Sequence, residues 1–444
     1  MRFPMRPQTS SPDWGLLARN KDIFERIVAH LSPVLPDGRY LHWNDLRRRL
    51  PPPGLTSEQW WQAQSMARQS NQVRIPAFVG EPGEAFWYCR LSEIDQATHQ
   101  LDRDDSAREM IEAIHDDAAR WDYRRDQLIE EAINSSVLEG ARLSTRAAAK
   151  ALIREGRAPL DVGERMVLNN YNAMQRLLDL KDKRLTLEDL LEIHRVLAEG
   201  ALEQENAAGR LRYASENVRV EDSMTGTVWF TPPPADSLQE RLARMLEFAN
   251  EEGEQPFMHP VLRAIVLHFW LAYLHPFVDG NGRMARALFY WQMLRSGYDT
   301  AQYLSISGPI ETSRRSYYLA FAHTETDHGD LTYFVLHQLK VLRRATNDLR
   351  EHLRERSQRL KQLADAVSTA ETLNHRQQNA LVLSIRNPHI GVTVHGHKNA
   401  HAVTYITARK DLQELVEQGY LRRVRAGRSD RYFPTESLAS RLSR

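Results

Sequence analysis

The stretch that joins two apolar segments in the second half of the chain reads His275-Pro276-Phe277-Val278-Asp279-Gly280-Asn281-Gly282-Arg283-Met284-Ala285-Arg286. An apolar helix is predicted to end near Leu274, and a second helix is predicted over 283–296. Gly280 and Gly282 let the loop turn, so that backbone N–H groups converge at the positive end of the second helix. Such a loop is an anion cradle, and it predicts a phosphate-binding site.

The side chains around this loop extend the prediction. Arg283 and Arg286 are three residues apart and share a helix face, which favours a polyphosphate over a single phosphate. Asp279 is a hard oxygen ligand suited to Mg²⁺ between phosphates. His275 precedes the loop and could accept a proton from an incoming hydroxyl. Taken singly, each residue also fits a plain helical turn with a core histidine and surface arginines.

The stretch resembles the signature of the Fic family, His-Pro-Phe-x-x-Gly-Asn-Gly-Arg-x-x-Arg, and matches all of its fixed positions. Asp279 stands where the family has its acidic metal ligand. The resemblance covers about 106–345 and implies a mainly α fold, a Fic-type helical bundle with a β-hairpin flap.

The resemblance also implies an activity, the transfer of AMP from ATP to a Ser, Thr or Tyr hydroxyl of a target protein with Mg²⁺. It assigns the general base to His275, the metal to Asp279, the α-phosphate to Asn281 with Gly280 and Gly282, and the outer phosphates to Arg283 and Arg286. Doc-type relatives that phosphorylate carry Lys near residue 282. Gly282 therefore favours nucleotidyl transfer.

A second motif, Ser135-Ser136-Val137-Leu138-Glu139-Gly140, is similar to the family's inhibitory helix, here predicted over 130–140. Alone, it is simply a helix that ends in Glu-Gly. Beside the signature, it implies an ion pair between Glu139 and Arg286 that prevents productive ATP binding. In relatives that remove AMP from targets the same Glu orients a water, so adenylylation and AMP removal both stay open.

Two β-type runs flank residues 223–226 and predict a hairpin over 217–231. The resemblance makes this hairpin the flap on which a target segment adds as a strand, and the alternative is a plain structural hairpin. The expected docking side chains are Val218, Val220, Trp229 and Phe230. The adenine pocket is expected within residues 317–330, without a specified contact.

Residues 371–444 contain 12 Lys and Arg against 6 Asp and Glu. Helices predicted over 375–386, from near Asn399 and over 404–418, followed by two strands, resemble a winged helix-turn-helix. The expected DNA contacts are Arg409, Lys410, Arg422, Arg423, Arg425 and Arg428. Protein docking and a wing without a partner are the alternatives. His395, His397 and His401 lack the fourth ligand of a structural zinc site.

Composition sets the limits. The 444 residues carry 59 Lys and Arg against 58 Asp and Glu, which excludes binding of polyanions by bulk charge alone. The single cysteine, Cys89, excludes an intrachain disulfide. The longest apolar run, 264–277, is too short to cross a bilayer, so we expect a cytoplasmic protein without a membrane partner. A homodimer is an open expectation, since dimers are common among relatives.

The predicted organisation is an accessory α/β region over 1–105, a catalytic domain over 106–345, a linker helix over 346–370 and the winged helix over 371–444. Trp60 and Trp61 are expected in the core of the accessory region rather than on a ligand platform. The predicted function is a protein adenylyltransferase inhibited by Glu139. The alternatives are AMP removal and a DNA-binding regulator that uses the Fic core as a nucleotide sensor.

Overall fold

The structure is a computed structural model, and it describes residues 4–7, 20–80, 83–103, 105–112, 117–221, 226–251, 257–370, 372–386, 391–426, 429–435 and 437–442. Contacts divide the chain into two units. The first comprises Met1–Arg103 with Gln127–Ala345, and the second comprises Asp104–Asp126 with Thr346–Arg444. This division differs from the predicted boundaries, because the accessory region packs into one unit with the helices that carry the signature.

The accessory region mixes helices with one hairpin, as the sequence predicts. Its elements are α1 (Lys21–Ala29), α2 (Trp43–Leu46), α3 (Ser57–Ser70), β1 (Gln72–Val79), β2 (Ala85–Cys89) and α4 (Ser92–Asp102). The two strands pair antiparallel, with Val73 opposite Tyr88. Trp60 and Trp61 are buried in one apolar cluster with Trp43, which agrees with a core role.

Helices dominate the middle of the chain. They are α5 (Asp105–Glu112), α6 (Asp117–Leu138), α7 (Arg146–Glu155), α8 (Val162–Leu180), α9 (Leu187–Ala198), α10 (Leu238–Ala249), α11 (Pro260–Leu274), α12 (Asn281–Arg295), α13 (Ser307–Thr312), α14 (Arg314–Thr326) and α15 (Thr332–Ser368). The mainly α prediction is confirmed. Helix α15 also takes in most of the linker helix predicted over 346–370. Leu349 and Leu353 are buried, so this charged stretch keeps an apolar face.

Helices α11 and α12 form the centre of the first unit. Nearly every side chain of α11 is buried, which is typical of a helix that is apolar all round. His259 caps its N-terminus and Pro260 occupies its first position, where a missing N–H costs nothing. Helix α12 begins at Asn281, two residues before its predicted start, because Gly280 adopts the left-handed backbone conformation with φ 82°. The signature therefore lies between the two most buried helices.

A buried polar network ties the accessory region to the last two helices of the first unit. The Arg68 guanidinium donates to the hydroxyl of Tyr333 at 2.9 Å and lies over the Tyr40 ring. The hydroxyl of Tyr40 donates to Asp330 at 2.6 Å, and that of Tyr333 donates to Asp327 at 2.7 Å. One buried guanidinium thus faces two buried carboxyl groups. Burial raises the pKa of Asp330 to about 7 and also raises the pKa of Asp327.

The predicted hairpin is present as two short antiparallel strands, β3 (Val220–Glu221) and β4 (Val228–Phe230). Val220 pairs with Phe230, and Glu221 pairs with Val228. Residues 222–225, at the predicted turn, lie outside the described residues. Within the described residues, these strands form a sheet of their own.

The second unit ends in four helices and a small sheet among the described residues. These are α16 (His375–Arg386), β5 (Val392–Thr393), α17 (Val394–His401), α18 (Tyr405–Glu417), β6 (Leu421–Ala426), β7 (Ser429–Pro434) and α19 (Leu438–Leu442). The sheet order is β5-β7-β6, with antiparallel pairs. Helix α17 begins five residues before the predicted Asn399, because the Thr393 side chain caps it by accepting the N–H of Gly396.

The helices among the described residues were also compared with the length and hydropathy that a bilayer requires. None of them is long and apolar enough to cross a membrane.

Candidate active site

His275 follows helix α11 directly, and one of its ring nitrogens contacts that helix. Its backbone is left-handed, with φ 47° and ψ 55°, and its N–H donates to the carbonyl of Leu271 at 3.0 Å. Its Nδ1 lies 3.1 Å from the carbonyl of Ala272. A carbonyl only accepts, so Nδ1 carries the proton and Nε2 keeps its lone pair. Burial lowers the pKa of His275 below its usual 6.5, which favours the neutral ring that a general base requires.

Asn281 closes the loop that follows. Its side-chain amide accepts the N–H of Phe277 at 3.0 Å and donates to the carbonyl of the same residue at 2.9 Å. The residue is buried, and these two bonds hold the five-residue turn. The sequence prediction gave Asn281 a role at the α-phosphate. That role stays a prediction; the amide shapes the loop, and the backbone of Gly280 and Gly282 lies at the start of α12, where an anion can be received.

Asp279 is the most exposed side chain of the loop, with about half of its surface open (56%). One carboxylate oxygen accepts the N–H of Gly280, and the other lies 3.8 Å from the guanidinium of Arg283. The described residues contain no cluster of three or more His, Cys, Asp or Glu that could hold a metal. Mg²⁺ commonly takes one or two carboxylates and completes its shell with phosphates and waters, so Asp279 fits that use.

Arg283 is buried with unsatisfied donors. Its NH1 donates to the carbonyl of Leu197 at 3.2 Å, while its Nε and NH2 have no hydrogen-bond partner among the described residues. Burial lowers the pKa of this guanidinium. A buried cation with unpaired donors costs free energy unless an anion completes it. Its place beneath the loop therefore favours a phosphate ligand.

Arg286 is held by the end of helix α6. Its Nε donates to Oγ of Ser135 at 2.9 Å, and its NH2 donates to the carbonyl of Ser135 at 3.1 Å. Oε1 of Glu139 lies 2.9 Å from the same NH2. NH1 has no hydrogen-bond partner among the described residues. Residues 135 and 139 thus engage Nε and NH2 of this guanidinium, and NH1 is left for another partner.

The absence of a side chain at Gly282 lets the carboxylate of Glu139 lie close to the loop. A Cβ atom at this position would overlap Oε1 of Glu139. The carboxylate therefore lies against the backbone of the anion cradle, where it meets any phosphate with like charge. The site combines a histidine base, a cradle with two buried guanidinium groups and a carboxylate across the cradle.

Sequence reasoning missed two residues that brace the loop from outside the signature. His194 accepts the N–H of Gly209 through Nδ1 at 3.0 Å and donates from Nε2 to the carbonyl of Asp279 at 2.9 Å. Its ring stacks on Phe277 with 3.7 Å between centroids, and burial lowers its pKa to about 4. Arg212 is the second, and it contacts the backbone on both sides of His275. Because His194 and Arg212 bind backbone carbonyls, no pattern of side chains in the sequence indicates their contacts with the loop.

The predicted docking side chains lie on and beside the hairpin. Val218 precedes β3, and all four predicted residues are half-buried. Phe230 packs on Tyr273 with ring centroids 5.1 Å apart, and Trp229 meets the edge of Tyr318 at 6.3 Å. Strand β4 also borders a cavity of about 900 Å³ whose walls include Tyr273 and Glu325.

The stretch predicted to contain the adenine pocket contributes two adjacent tyrosines. Tyr317 is buried, and its hydroxyl lies 2.9 Å from Nε2 of His268. Tyr318 is partly exposed, and burial raises its pKa against the guanidinium charge of Arg286. The charge of Glu139 also raises the pKa of Tyr318.

The basic side chains predicted to contact DNA are exposed where the structure describes them. Arg409 and Lys410 lie on α18, and Arg422, Arg423 and Arg425 lie on β6. Arg428 lies outside the described residues. Lys410 lies 3.8 Å from Glu414, and Arg423 lies 3.9 Å from Asp430. Such exposed pairs are weak enough for a polyanion to displace.

His397, one of three histidines considered as a metal ligand, has another partner. Its Nε2 lies 3.2 Å from Asp411, a carboxylate that also accepts two hydrogen bonds from Arg376. His397 is buried in the core of the second unit. The metal interpretation was not favoured from the sequence, and this contact gives His397 a structural role.

The loop between α11 and α12 combines a histidine with two buried guanidinium groups, and it is the stretch that resembles the Fic signature. Residues 184–293 match the family model described as Fic/DOC family, so this part of the chain is similar to Fic proteins. The match includes the whole of the signature.

Named relatives resemble the same part of the chain. "Protein adenylyltransferase fic-1" of Caenorhabditis briggsae is 34% identical over 164 residues, which is 37% of this chain and 28% of that protein. "Protein adenylyltransferase Fic" of Nematostella vectensis is 30% identical over 155 residues, 35% of this chain and 32% of that protein. The chain thus matches about a third of the length of these relatives.

Solved structures of Fic proteins are also similar. A Fic family protein from Desulfovibrio desulfuricans G20 has a TM-score of 0.49 at 23% identity, with 79% of this chain and 98% of that chain covered. Fic-1, residues 134–508, from C. elegans has a TM-score of 0.47 at 18% identity, with 79% and 87% covered.

Proposed function

We propose that this chain is a protein adenylyltransferase that Glu139 holds inactive. It moves AMP from ATP to a Ser, Thr or Tyr hydroxyl of a target protein. The observation that carries this proposal is one short loop that combines a histidine with an unprotonated Nε2 and an anion cradle over the buried guanidinium of Arg283. The names of the relatives support it for the aligned third of their length.

The reaction needs one proton acceptor and stabilised phosphates. Nε2 of His275 takes the hydroxyl proton as the hydroxyl oxygen forms its bond to the α-phosphorus. The bond from that phosphorus to the bridging oxygen breaks, and pyrophosphate leaves. Asn281 and the backbone of Gly280 and Gly282 position the α-phosphate, while Arg283 and Arg286 hold the outer phosphates. Catalysis then rests on positioning and charge neutralisation.

ATP and Mg²⁺ are the substrate and metal that this site suits. Asp279 presents the exposed carboxylate that would hold the ion. Bound there, Mg²⁺ would neutralise phosphate charge. The partly exposed ring of Tyr318, opposite Trp229, is a surface on which adenine could stack. We assign the adenine contact to Tyr318 on this basis.

Glu139 supplies the inhibition. Its carboxylate pairs with the guanidinium that the γ-phosphate requires and lies against Gly282. ATP that enters the cradle meets a negative charge and one engaged arginine. Release of the end of α6 would free Arg286 and raise the rate of AMP transfer.

The target protein is proposed to dock along the hairpin. Strands β3 and β4 pair with each other in the described residues, so each retains an edge that an extended segment could use. Val218, Val220, Trp229 and Phe230 would contact its side chains. The modified hydroxyl would then lie near His275. Homodimerisation remains an expectation from the resemblance.

Removal of AMP from a modified target is a second candidate. The observation that favours it is the carboxylate of Glu139 at the cradle, where it could orient a water toward the phosphorus. The same protein could work in both directions, depending on which state of Glu139 prevails.

A DNA-binding regulator is the third candidate, from a different class. The exposed Arg409, Lys410, Arg422, Arg423 and Arg425 favour it, since three of them line one strand. In that case the Fic core would sense nucleotide, and a His275→Ala variant would keep the regulatory effect.

Labelled ATP separates transfer of AMP from other chemistry. Glu139→Gly protein is incubated with Mg²⁺, a cell lysate and ATP labelled at either the α or the γ position. We expect protein-bound label from α-labelled ATP alone. Label from γ-labelled ATP alone would indicate phosphoryl transfer and overturn the proposal.

A further inference from the structure

Arg212 binds three successive carbonyl positions at the catalytic turn. Its Nε donates to the carbonyl of His275 at 2.8 Å, and its NH2 reaches that of Leu274 at 3.4 Å. Its own backbone N–H donates to the carbonyl of Pro276 at 2.9 Å. Helix ends leave such carbonyls without partners inside the helix. Arg212 therefore satisfies the end of α11 where the chain turns into the signature loop.

The same guanidinium also binds the chain that leaves the hairpin. NH2 of Arg212 donates to the carbonyl of Pro233 at 2.6 Å, three residues after strand β4. Arg212 is 7% exposed. The buried guanidinium of Arg212 thus binds both Pro233, which follows the hairpin, and His275, whose Nε2 keeps its lone pair.

We propose that Arg212 is a positioning residue that sets the distance and orientation between His275 and a target hydroxyl delivered along the hairpin. The inference rests on the proposed adenylyl transfer. His275 has a left-handed backbone, which is uncommon for a residue with a side chain and needs support from its surroundings. Arg212 supplies that support at the His275 carbonyl and fixes the hairpin by the same group.

Loss of Arg212 should affect kcat and KM for ATP differently. Arg212 contacts the α11 side of the loop and the hairpin, whereas Arg283 and Arg286 lie on α12 and receive the phosphates. Loss of Arg212 should therefore disturb proton transfer and acceptor placement more than ATP binding. A misplacement of about 1 Å at a reacting group can lower the rate about 100-fold.

The charges that face His275 predict that substitution of Arg212 also changes the pKa of His275. Glu139 and Asp279 raise its pKa, whereas the guanidinium of Arg212 lowers it. A neutral residue at position 212 should raise the pKa of His275. Lysine should keep the charge while losing the two-pronged geometry that reaches Pro233 and His275 together.

The test uses the full chain with Glu139→Gly as parent and adds Arg212→Gln, Arg212→Lys or Arg263→Gln. Arg263 is the matched control, since it is also buried and also donates to a backbone carbonyl, that of Phe248 at 2.8 Å, from the opposite end of α11. Rates of α-label transfer, KM for ATP, thermal unfolding and the NMR titration of His275 are measured.

We expect both Arg212 variants to lower kcat about 100-fold with KM for ATP changed less than about 3-fold. Arg212→Gln should also raise the pKa of His275, and Arg212→Lys should not. Equal kcat in Arg212→Gln and its parent, or an equal loss in Arg263→Gln, would overturn the inference. A parent that transfers no label would contradict the proposed function instead, and the NMR titration would then decide the positioning role by itself.

Discussion

Oε1 of Glu139 lies 2.9 Å from NH2 of Arg286, and the same carboxylate lies against the backbone of Gly282. The pair occupies the last guanidinium of the signature with a carboxylate from helix α6. Ser135, one helical turn earlier, binds the Nε of the same guanidinium at 2.9 Å. Inhibition in this account is therefore local competition for Arg286.

The pH dependence of transfer should report the neutral form of His275. Burial lowers its pKa below 6.5, so the base is available above that pKa and is lost as the pH falls through it. For Glu139→Gly we expect a flat rate above pH 7 and a half-maximal rate below pH 6.5. Initial rates of α-label transfer between pH 5 and 8 test this. His275→Ala should lower the rate about 10²–10⁴-fold, and a half-maximal rate above pH 7 would contradict the assignment.

Asp279→Asn should weaken the response to metal. The substitution keeps the size of the side chain and removes the charge that a hard cation prefers. In the Glu139→Gly background we expect the Mg²⁺ concentration for half-maximal rate to rise about 10-fold or more. Calorimetric titration of Mg²⁺ into the protein with ATP should show the same weakening. An unchanged metal requirement would mean that Asp279 is not the ligand.

The buried network around Arg68 should make the stability of the chain fall as the pH rises. The pKa of Asp330 is raised from 3.8 to about 7, so the folded state holds the proton more tightly. This contribution is complete below pH 4 and is lost as the pH rises through about 7, at up to about 1.4 kcal/mol per pH unit. Asp330→Asn should flatten this decline in denaturant unfolding between pH 5 and 8.

The control for that experiment is Asp95→Asn, an exposed carboxylate on α4. It should unfold with the same pH dependence as the wild type. If the free energy of unfolding fell equally with pH in Asp330→Asn and the wild type, the carboxyl of Asp330 would contribute no pH-dependent stability.

Combined Arg422→Ala, Arg423→Ala and Arg425→Ala changes should weaken DNA binding if the second unit contacts phosphates. Each lost phosphate contact lowers the salt slope by about 0.9, so three contacts should lower it by about 3. Fluorescence anisotropy with duplex DNA across a salt series measures this. Arg386→Ala, an exposed change on α16, is the control and should leave the slope unchanged. If the wild-type protein showed no affinity for DNA in this assay, the DNA-binding function would be excluded.

The sequence predicted the parts of the site that lie on a local pattern. His275 and Arg286 belong to one uninterrupted motif, and Gly280 explains why a helix begins directly after it. Ser135 and Glu139 are four residues apart, so one helix presents both to a single partner. Helical spacing and glycine conformation account for the local geometry, whereas the pairing of Glu139 with Arg286 was implied by the resemblance.

Long-range contacts could not be predicted. Arg212 and His194 reach the loop from 63 and 85 residues away, and they bind backbone carbonyls that have no sequence signature. The bonds from the Asn281 amide to the backbone of Phe277 were not predicted for the same reason.

The central claim is best tested with α-labelled ATP and Mg²⁺ on wild type, Glu139→Gly and Glu139→Gly/His275→Ala, with label counted on the protein itself and in a lysate. The account predicts strong label for Glu139→Gly, at least about 10-fold above wild type, since a freed ion pair at Arg286 is worth more than about 1.4 kcal/mol. The double variant should return to background. Equal label in all three proteins, or none in any, would contradict it.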